Sequence, residues 1–258
     1  MRRLRRKKSL KTTLRDRPLT GFDEVIYAVG DIHGRSDLLD NLMTSIVADF
    51  TASKAEVGFP LTGRIVFLGD YVDRGPDSRG VISTLISLDV PGLEIICLKG
   101  NHEAVMLSIL DDPSTFSEWL RHGGVATLNS YGITSDLNAE PDVLEGIRQV
   151  FCENFPKEHR AFLEKLPTYH HRAPLFFVHA GVDPKKPLSL QDEDDFLWIR
   201  EAFLNSGKPL EAVIVHGHTP QDEPSWDGRR IGLDTGAYFT DRLNSAKIQG
   251  NQVRFIST

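Results

Sequence analysis

The chain has 258 residues, of which 40% are hydrophobic and 26% are charged, and this composition is typical of a globular protein with a sizeable core. Its two cysteines, Cys97 and Cys152, exclude a disulfide-rich scaffold and fit a reducing compartment, so we expect a cytoplasmic protein. No apolar run in the sequence approaches the length of a transmembrane segment.

The net charge of −6 is distributed unevenly along the chain. Residues 1–20 hold nine lysines and arginines but a single acid, Asp16, whereas residues 21–258 are strongly acidic. Because residues 1–20 also lack hydrophobic periodicity, we expect a disordered basic arm on one acidic domain. Such an arm predicts at most weak attraction to an anionic partner, such as nucleic acid, anionic lipid or an acidic protein.

The first hundred residues predict alternating strands and helices. The predicted segments are a strand at 25–29, a helix at 36–47, a strand at 64–68, a helix at 78–88 and a strand at 93–98. Ser36 is the expected N-cap of the first helix, and residues 51–63 are expected to form a loop. This alternation predicts parallel strands joined by crossover helices.

A mostly helical stretch follows, and we expect a cap insertion at about residues 111–171. Its aromatic residues at helical spacing predict a cap core: Trp119, Phe151, Phe155 and Phe162. Its histidines are expected at the surface or in packing: His122, His159, His170 and His171. Strands are then predicted at 175–178, 212–215 and 230–233, with a closing hairpin at 242–258 around Gly250-Asn251.

Five of the predicted strands end beside a glycine at residues that can bind a metal. In chain order these residues are Asp31 with His33, Asp70, Asn101 with His102, His179, and His216 with His218. A capping Asp or a turn Asn explains any one loop, but turns do not require histidine at the same places. Ligands bind outside the carboxyl ends of strands in α/β sheets, so we expect the five loops to converge on two adjacent ions. Asp, His and Asn ligands without Cys suit manganese, iron or zinc.

Three segments resemble the signature motifs of the phosphoprotein phosphatase family of calcineurin-like metallophosphoesterases. They are Gly-Asp-Ile-His-Gly at 30–34, Gly-Asp-Tyr-Val-Asp-Arg-Gly at 69–75 and Gly-Asn-His-Glu at 100–103. The segments at 179–181, 217–220 and 234–236 resemble the bacterial and phage type of serine/threonine protein phosphatase. The resemblance implies an α/β (α+β sandwich) fold with two mixed β-sheets flanked by helices.

The resemblance also implies a role for each matching residue. Asp31 and His33 would bind a first ion, Asp70 would bridge both ions, and the second ion would be bound by Asn101, His179 and His218. The ions would be Mn²⁺, with iron or zinc as alternatives. The general acid would be His102, held by Asp73, and the phosphate would be bound by Arg74, Arg200 and Asn101. Metal-bound hydroxide would attack phosphorus directly.

Three functions remain open at this point. The first is hydrolysis of phosphoserine and phosphothreonine in phosphoproteins or phosphopeptides, and the second is symmetrical hydrolysis of dinucleoside tetraphosphates. The third is a catalytically silent binding module recruited by the basic arm, although the complete ligand set disfavours it. Near the motifs, His216 is interpreted as a packing residue or a support for a metal ligand rather than as a ligand. Asp234 is interpreted as either an orienting carboxylate or a turn cap, and Tyr238 as a residue lining the site.

Overall fold

The computed structural model describes residues 18–58 and 60–258, and nearly all of the expected basic arm lies outside these residues. Among the described residues, ten strands form two five-stranded sheets. The first sheet contains β1 (Glu24–Val29), β2 (Thr62–Phe67), β3 (Leu93–Cys97), β9 (Asn244–Gln249) and β10 (Gln252–Ser257), in the order β10-β9-β1-β2-β3. The second contains β4 (Tyr169–Arg172), β5 (Leu175–Val178), β6 (Val213–His216), β7 (Ser225–Trp226) and β8 (Arg230–Gly232), in the order β4-β5-β6-β8-β7.

Both sheets are mixed, which confirms the predicted fold class. The strands β1, β2 and β3 are parallel to one another, and so are β5, β6 and β8. The remaining strands, β4, β7, β9 and β10, pair in antiparallel fashion at the sides of the sheets. The predicted closing hairpin is therefore β9 and β10. Because the parallel strands of each sheet share one direction, their carboxyl ends lie at a common edge.

The two sheets pack face to face around a shared apolar layer. Side chains alternate along a strand, so Ile26 and Ala28 of β1 face the second sheet while Tyr27 faces the helices. From the second sheet, Phe177 and Val215 enter the same layer and are fully buried. Because of this alternation, β1 contributes side chains both to the layer between the sheets and to the core between the first sheet and the helices.

The layer between the sheets should contribute strongly to the stability of the fold. We expect Phe177→Ala to lower the free energy of unfolding by about 3–5 kcal/mol, because it leaves a cavity among fully buried side chains. Urea denaturation followed by circular dichroism measures this change. Phe22→Ala is the control, since the Phe22 side chain is 73% exposed and its loss should cost little. Equal losses for the two variants would contradict this assignment of the core.

Helices flank the sheets and also fill the segment between β3 and β4, of which we call residues 112–168 the cap. They are α1 (Ser36–Val57), α2 (Ser78–Ser87), α3 (Asn101–Asp111), α4 (Phe116–Trp119), α5 (Val125–Ser130), α6 (Pro141–Asn154), α7 (Lys157–Glu164), α8 (Glu193–Trp198), α9 (Glu201–Leu204) and α10 (Ala237–Thr240). The predicted cap aromatics do form a packed core, with the ring centroids of Trp119 and Phe151 5.9 Å apart and those of Phe151 and Phe155 5.2 Å apart. No helix of the described ranges is both long and apolar enough to cross a bilayer.

The structure corrects two predictions around α1. The expected loop at 51–63 is helical as far as Val57, because Phe50 is buried and the helix ends only at Gly58, which has a positive φ of 64°. Ser36 is not an N-cap, because its hydroxyl donates instead to Asp77 Oδ2 at 2.6 Å. Two strands, β4 and β7, were not predicted, because neither has an apolar alternation of its own.

Candidate metal centre and active site

Loops from both sheets converge where the parallel strands end. The backbone N–H of His218, after β6, donates to Asp31 Oδ2, after β1, at 3.0 Å. Gly217 permits this approach, since a Cβ there would lie 1.9 Å from Asp31 Oδ1. The side chains of the predicted metal ligands are all buried: Asp31, His33, Asp70, Asn101, His179 and His218.

The backbone at this edge is strained. Six non-glycine residues of the described chain have positive φ, and five of them belong to the converging loops: His33, Asp70, Asp73, Arg74 and His218. Non-glycine residues seldom adopt this conformation, and it is maintained only where the surrounding structure enforces it. The strain therefore marks this edge as a candidate functional site.

One group of potential ligands consists of His33, Asp70 and His102, whose ligand atoms lie within 4.8 Å of one another. His33 Nδ1 donates to the carbonyl oxygen of Val72 at 2.8 Å, so its Nε2 carries a lone pair. This Nε2 lies 3.5 Å from Asp70 Oδ2 and 2.8 Å from an Arg74 guanidinium nitrogen. Burial lowers the pKa of His33 to about 3, which keeps the ring neutral and able to bind a metal.

A second group consists of Asp70, His179 and His218. His179 Nδ1 donates to the carbonyl oxygen of Leu68 at 3.0 Å, which leaves a lone pair on its Nε2. That nitrogen lies 2.8 Å from Asn101 Oδ1 and 3.4 Å from Asp70 Oδ1, so acceptors face one another with no proton between them. A cation between these atoms resolves the conflict, and the donor set therefore fits a divalent metal ion.

Asp70 belongs to both groups, and it offers one carboxylate oxygen to each. Oδ2 faces the first group and Oδ1 faces the second. A carboxylate shared in this way is what two adjacent ions require. Asp31 lies outside both groups, and burial together with the negative charges of Asp234 and Asp70 raises its pKa well above the usual value. The two groups thus contain four of the six predicted ligands, while Asn101 contacts His179 and Asp31 lies beside the groups.

Sequence reasoning missed Glu103, which organises the loop that carries Asp70. Its carboxylate is fully buried and accepts the backbone N–H groups of Gly100, Asp70 and Tyr71 at 2.7–2.8 Å, and that of Val72 at 3.3 Å. Burial and the charge of Asp70 raise the pKa of Glu103 to about 7, while the N–H groups oppose this shift. Its place three residues after Gly100, at the start of α3, was the signal in the sequence.

A His–Asp pair stands beside the first group. His102 Nδ1 lies 2.6 Å from Asp73 Oδ2, and its Nε2 lies 3.9 Å from Asp70 Oδ2. Burial lowers the pKa of His102, but the carboxylates of Asp70 and Asp73 outweigh burial, and the pKa is raised overall. The Asp73 carboxylate also accepts hydrogen bonds from Trp119 and Thr127 of the cap segment.

A cavity of about 380 Å³ opens beside the His–Asp pair. Its lining includes both predicted phosphate-binding arginines, Arg74 and Arg200, together with His102, Asn101, Trp119 and Trp198. Arg200 donates to the carbonyl oxygen of His218 at 3.1 Å, and this bond holds the guanidinium against the second group. Two guanidinium groups at one cavity can bind the oxygens of a phosphoryl group.

Three further residues near the motifs belong to neither group of potential ligands: His216, Asp234 and Tyr238. His216 packs edge-on against Phe203, with the ring centroids 5.1 Å apart. Asp234 accepts the backbone N–H of Gly236 at 2.8 Å and so caps a turn. The Tyr238 ring lies 5.1 Å from the Arg74 guanidinium carbon, so Tyr238 does line the site.

The cap histidines follow the prediction of surface or packing roles. His159 is buried and bonded, with Tyr131 Oη 2.8 Å from its Nδ1. His122 is exposed at the rim of the cavity, 3.8 Å from Glu118. His170 and His171 lie in β4 rather than in the cap helices.

The convergence of two His and Asp groups on a shared carboxylate, beside a buried His–Asp pair, defines a metal-dependent hydrolase. The chain belongs to the calcineurin-like phosphoesterase family, whose model matches residues 25–249. It is therefore a metallophosphoesterase, and it hydrolyses phosphoesters.

The proteins that resemble this chain include a dinucleoside tetraphosphatase and protein serine/threonine phosphatases. The chain is 26% identical to the asymmetrical bis(5'-nucleosyl)-tetraphosphatase PrpE of Oceanobacillus iheyensis, over 84% of this chain and 86% of that protein. It is also 26% identical to serine/threonine-protein phosphatase 1 of Salmonella typhimurium, over 87% of this chain and 92% of that protein. A protein serine/threonine phosphatase structure from Saccharomyces cerevisiae shares the fold, with a TM-score of 0.53, 15% identity and coverage of 95% of this chain and 84% of that chain.

Proposed function

We propose that this protein is a dimetal phosphomonoesterase that hydrolyses phosphoserine and phosphothreonine in proteins. The observation that carries the proposal is the meeting of three features at one cavity. His102, Arg74 and Arg200 line the cavity. His102 in turn contacts Asp73, 2.6 Å from its Nδ1, and lies near the shared Asp70 carboxylate, 3.9 Å from its Nε2. Together they supply what the transfer of a phosphoryl group to water requires.

The proposed metal ligands are those of the two groups and their neighbours. His33 and Asp70, with Asp31 beside them, would hold one ion, and the other would be held by Asp70, Asn101, His179 and His218. Two divalent ions bound there, Mn²⁺ in the first instance and iron or zinc as alternatives, would activate water and offset the negative charge at phosphorus.

The other residues act on the phosphoryl group and the leaving oxygen. Arg74 and Arg200 bind the phosphoryl oxygens, with Asn101 beside them on the cavity wall. His102 gives its Nε2 proton to the serine or threonine oxygen that departs. Asp73 holds the ring through Nδ1 and stabilises its charged form.

The cap supports a protein substrate over a nucleotide. A nucleotide site needs free aromatic faces, but the cap rings pack against one another, with the Tyr131 centroid 5.5 Å from Phe151 and 5.2 Å from Phe155. Trp119, at the back of the cavity, is 1% exposed and stacks on Phe151. A phosphorylated side chain needs only the cavity itself.

We expect the Mn²⁺-loaded enzyme to release phosphate from phosphoserine and phosphothreonine peptides. A panel of such peptides, with matched unphosphorylated peptides as blanks, measures kcat/KM by phosphate release. If the enzyme hydrolyses p-nitrophenyl phosphate but none of the phosphopeptides, the proposed substrate class is wrong. A protein that binds no divalent metal and hydrolyses neither substrate would instead be the silent binding module.

A dinucleoside tetraphosphatase is the second candidate. Two exposed rings favour it, because Trp198 lies over His218 on one side of the site and Phe239 lies beyond Tyr238 on the other. The name of the Oceanobacillus relative adds weight. Chromatography of products from diadenosine tetraphosphate distinguishes the candidates, since symmetrical cleavage gives two nucleoside diphosphates and asymmetrical cleavage gives a triphosphate and a monophosphate.

A further inference from the structure

The carboxylate of Asp73 is held from the cap as well as by His102. Trp119 Nε1 donates to both of its oxygens, at 3.0 Å to Oδ2 and 3.1 Å to Oδ1, and Thr127 Oγ1 donates to Oδ1 at 2.6 Å. Asp73 and Thr127 are fully buried, and Trp119 is nearly so. Asp73 therefore has three donors around one carboxylate, and two of them come from a single stretch of the cap.

The same stretch also contacts the neighbouring arginine. We define residues 119–127 as the anchor segment. Gly123 in this segment accepts the backbone N–H of Arg74 at 3.1 Å, and a Cβ on Gly123 would lie 2.7 Å from Arg74 N. Gly123 has a φ of 121°, so the close approach and the backbone conformation both require glycine. The anchor segment thus lies directly on the Asp73-Arg74 turn.

The backbone of Asp73 is bound by this network as well. Its N–H donates to Thr127 Oγ1 and to Ser78 Oγ, each at 3.0 Å, and the two hydroxyl oxygens lie 2.9 Å apart. Asp73 has a positive φ of 71°, which a non-glycine residue adopts only when its surroundings enforce it. The hydroxyl groups of Thr127 and Ser78 satisfy the buried N–H in that conformation.

We propose that Trp119 and Thr127 are positioning residues for the general acid, acting on His102 through the Asp73 carboxylate. Together the two donors fix the plane of the carboxylate, so Oδ2 stays aimed at His102 Nδ1 and the ring keeps its Nε2 proton at the cavity wall. Trp119 also lines the cavity and stacks on Phe151, so the same side chain packs in the cap core and binds the carboxylate that holds the proton donor. The proposal rests on the proposed function, because it requires a protonated leaving oxygen.

The leaving group provides a test that a purely structural role would not pass. A poor leaving group, such as serine alkoxide or phenoxide, needs the proton, whereas p-nitrophenoxide departs without much help. We expect Trp119→Phe and Thr127→Val each to lower kcat about tenfold on a phosphoserine peptide and on phenyl phosphate, the loss of one charge-assisted hydrogen bond. On p-nitrophenyl phosphate the same variants should lose much less.

Two matched variants control for packing. Thr127→Ser keeps the hydroxyl and should retain the wild-type ratio of rates on phenyl and p-nitrophenyl phosphate. Phe151→Leu disturbs the ring that Trp119 stacks on without touching Asp73, so any loss should be equal on the two substrates. Equal losses for Trp119→Phe on both substrates, or a selective loss in Phe151→Leu, would overturn the proposal.

A second readout does not depend on turnover. The chain has three tryptophans, so the indole N–H resonances in a ¹H–¹⁵N spectrum are simple to assign. We expect Asp73→Asn to shift the Trp119 indole N–H and to leave that of Trp226 in place, even in protein without metal. An unshifted Trp119 resonance counts against the hydrogen bond. If the wild-type enzyme hydrolyses aryl phosphates but not phosphopeptides, the proposed substrate class is wrong. The comparison of phenyl phosphate with p-nitrophenyl phosphate then still tests the positioning role.

Discussion

Asp70→Asn is expected to lower kcat/KM by about 1000-fold or more on every phosphate ester, because both proposed ions would share its charge. Its two oxygens lie 3.5 Å from His33 Nε2 and 3.4 Å from His179 Nε2, so no other carboxylate within the two groups can replace it. Asparagine keeps the shape of the side chain but removes the negative charge. The metal-to-protein ratio, measured by plasma mass spectrometry after gel filtration, should fall in parallel.

The matched control makes the same chemical change away from the site. Asp40 lies on the exposed face of α1, so Asp40→Asn should alter neither the metal content nor the rate. Thermal unfolding of both variants shows whether each is folded. A folded Asp70→Asn enzyme with wild-type metal content and near wild-type rates would contradict the shared-carboxylate site.

The position of the site could be predicted because its residues follow local rules. An apolar run followed by glycine and a metal-binding side chain predicts a strand end, and strand ends of one direction meet at one edge. Asp31, Asp70 and His179 are found in this way, each within three residues of the end of its own strand. The glycines next to them indicate tight loops, which the structure contains.

The environment of Asp73 could not be predicted, because it depends on contacts that are distant in the sequence. Trp119 and Thr127 lie 46 and 54 positions away, and only the folding of the cap brings them to Asp73. From spacing alone, Trp119 was assigned to the cap core. Its ring does pack there, but periodicity shows which face of a helix is buried and says nothing about where one indole N–H points.

The strand β4 illustrates the same limit for the fold. Its sequence, Tyr-His-His-Arg, has no apolar alternation, because its partner β5 supplies the buried residues. A contact with the other sheet also stabilises β4, since Arg172 forms an ion pair with Glu24 of β1 at 2.6 Å. Pairing of this kind is a tertiary effect, and a single-strand pattern does not contain it.

His102→Asn is expected to lower kcat by about 10²–10⁴-fold on a phosphoserine peptide, the usual contribution of a general acid. Its Nδ1 is engaged by Asp73, and the proposed ligands are other groups, so metal content should be retained. The loss on p-nitrophenyl phosphate should be much smaller. His171→Asn is the control, because this histidine is exposed on β4 and belongs to neither group of potential ligands.

The two variants therefore separate the two halves of the mechanism. Asp70→Asn should remove metal and rate together whatever the leaving group, whereas His102→Asn should keep metal and lose rate in proportion to the need for a proton. If His102 instead binds a metal, as its membership in the first group permits, His102→Asn will lose metal and will slow both substrates equally. In the His102→Asn background, Trp119→Phe should then have no further selective effect, because residues that act through one another are not additive.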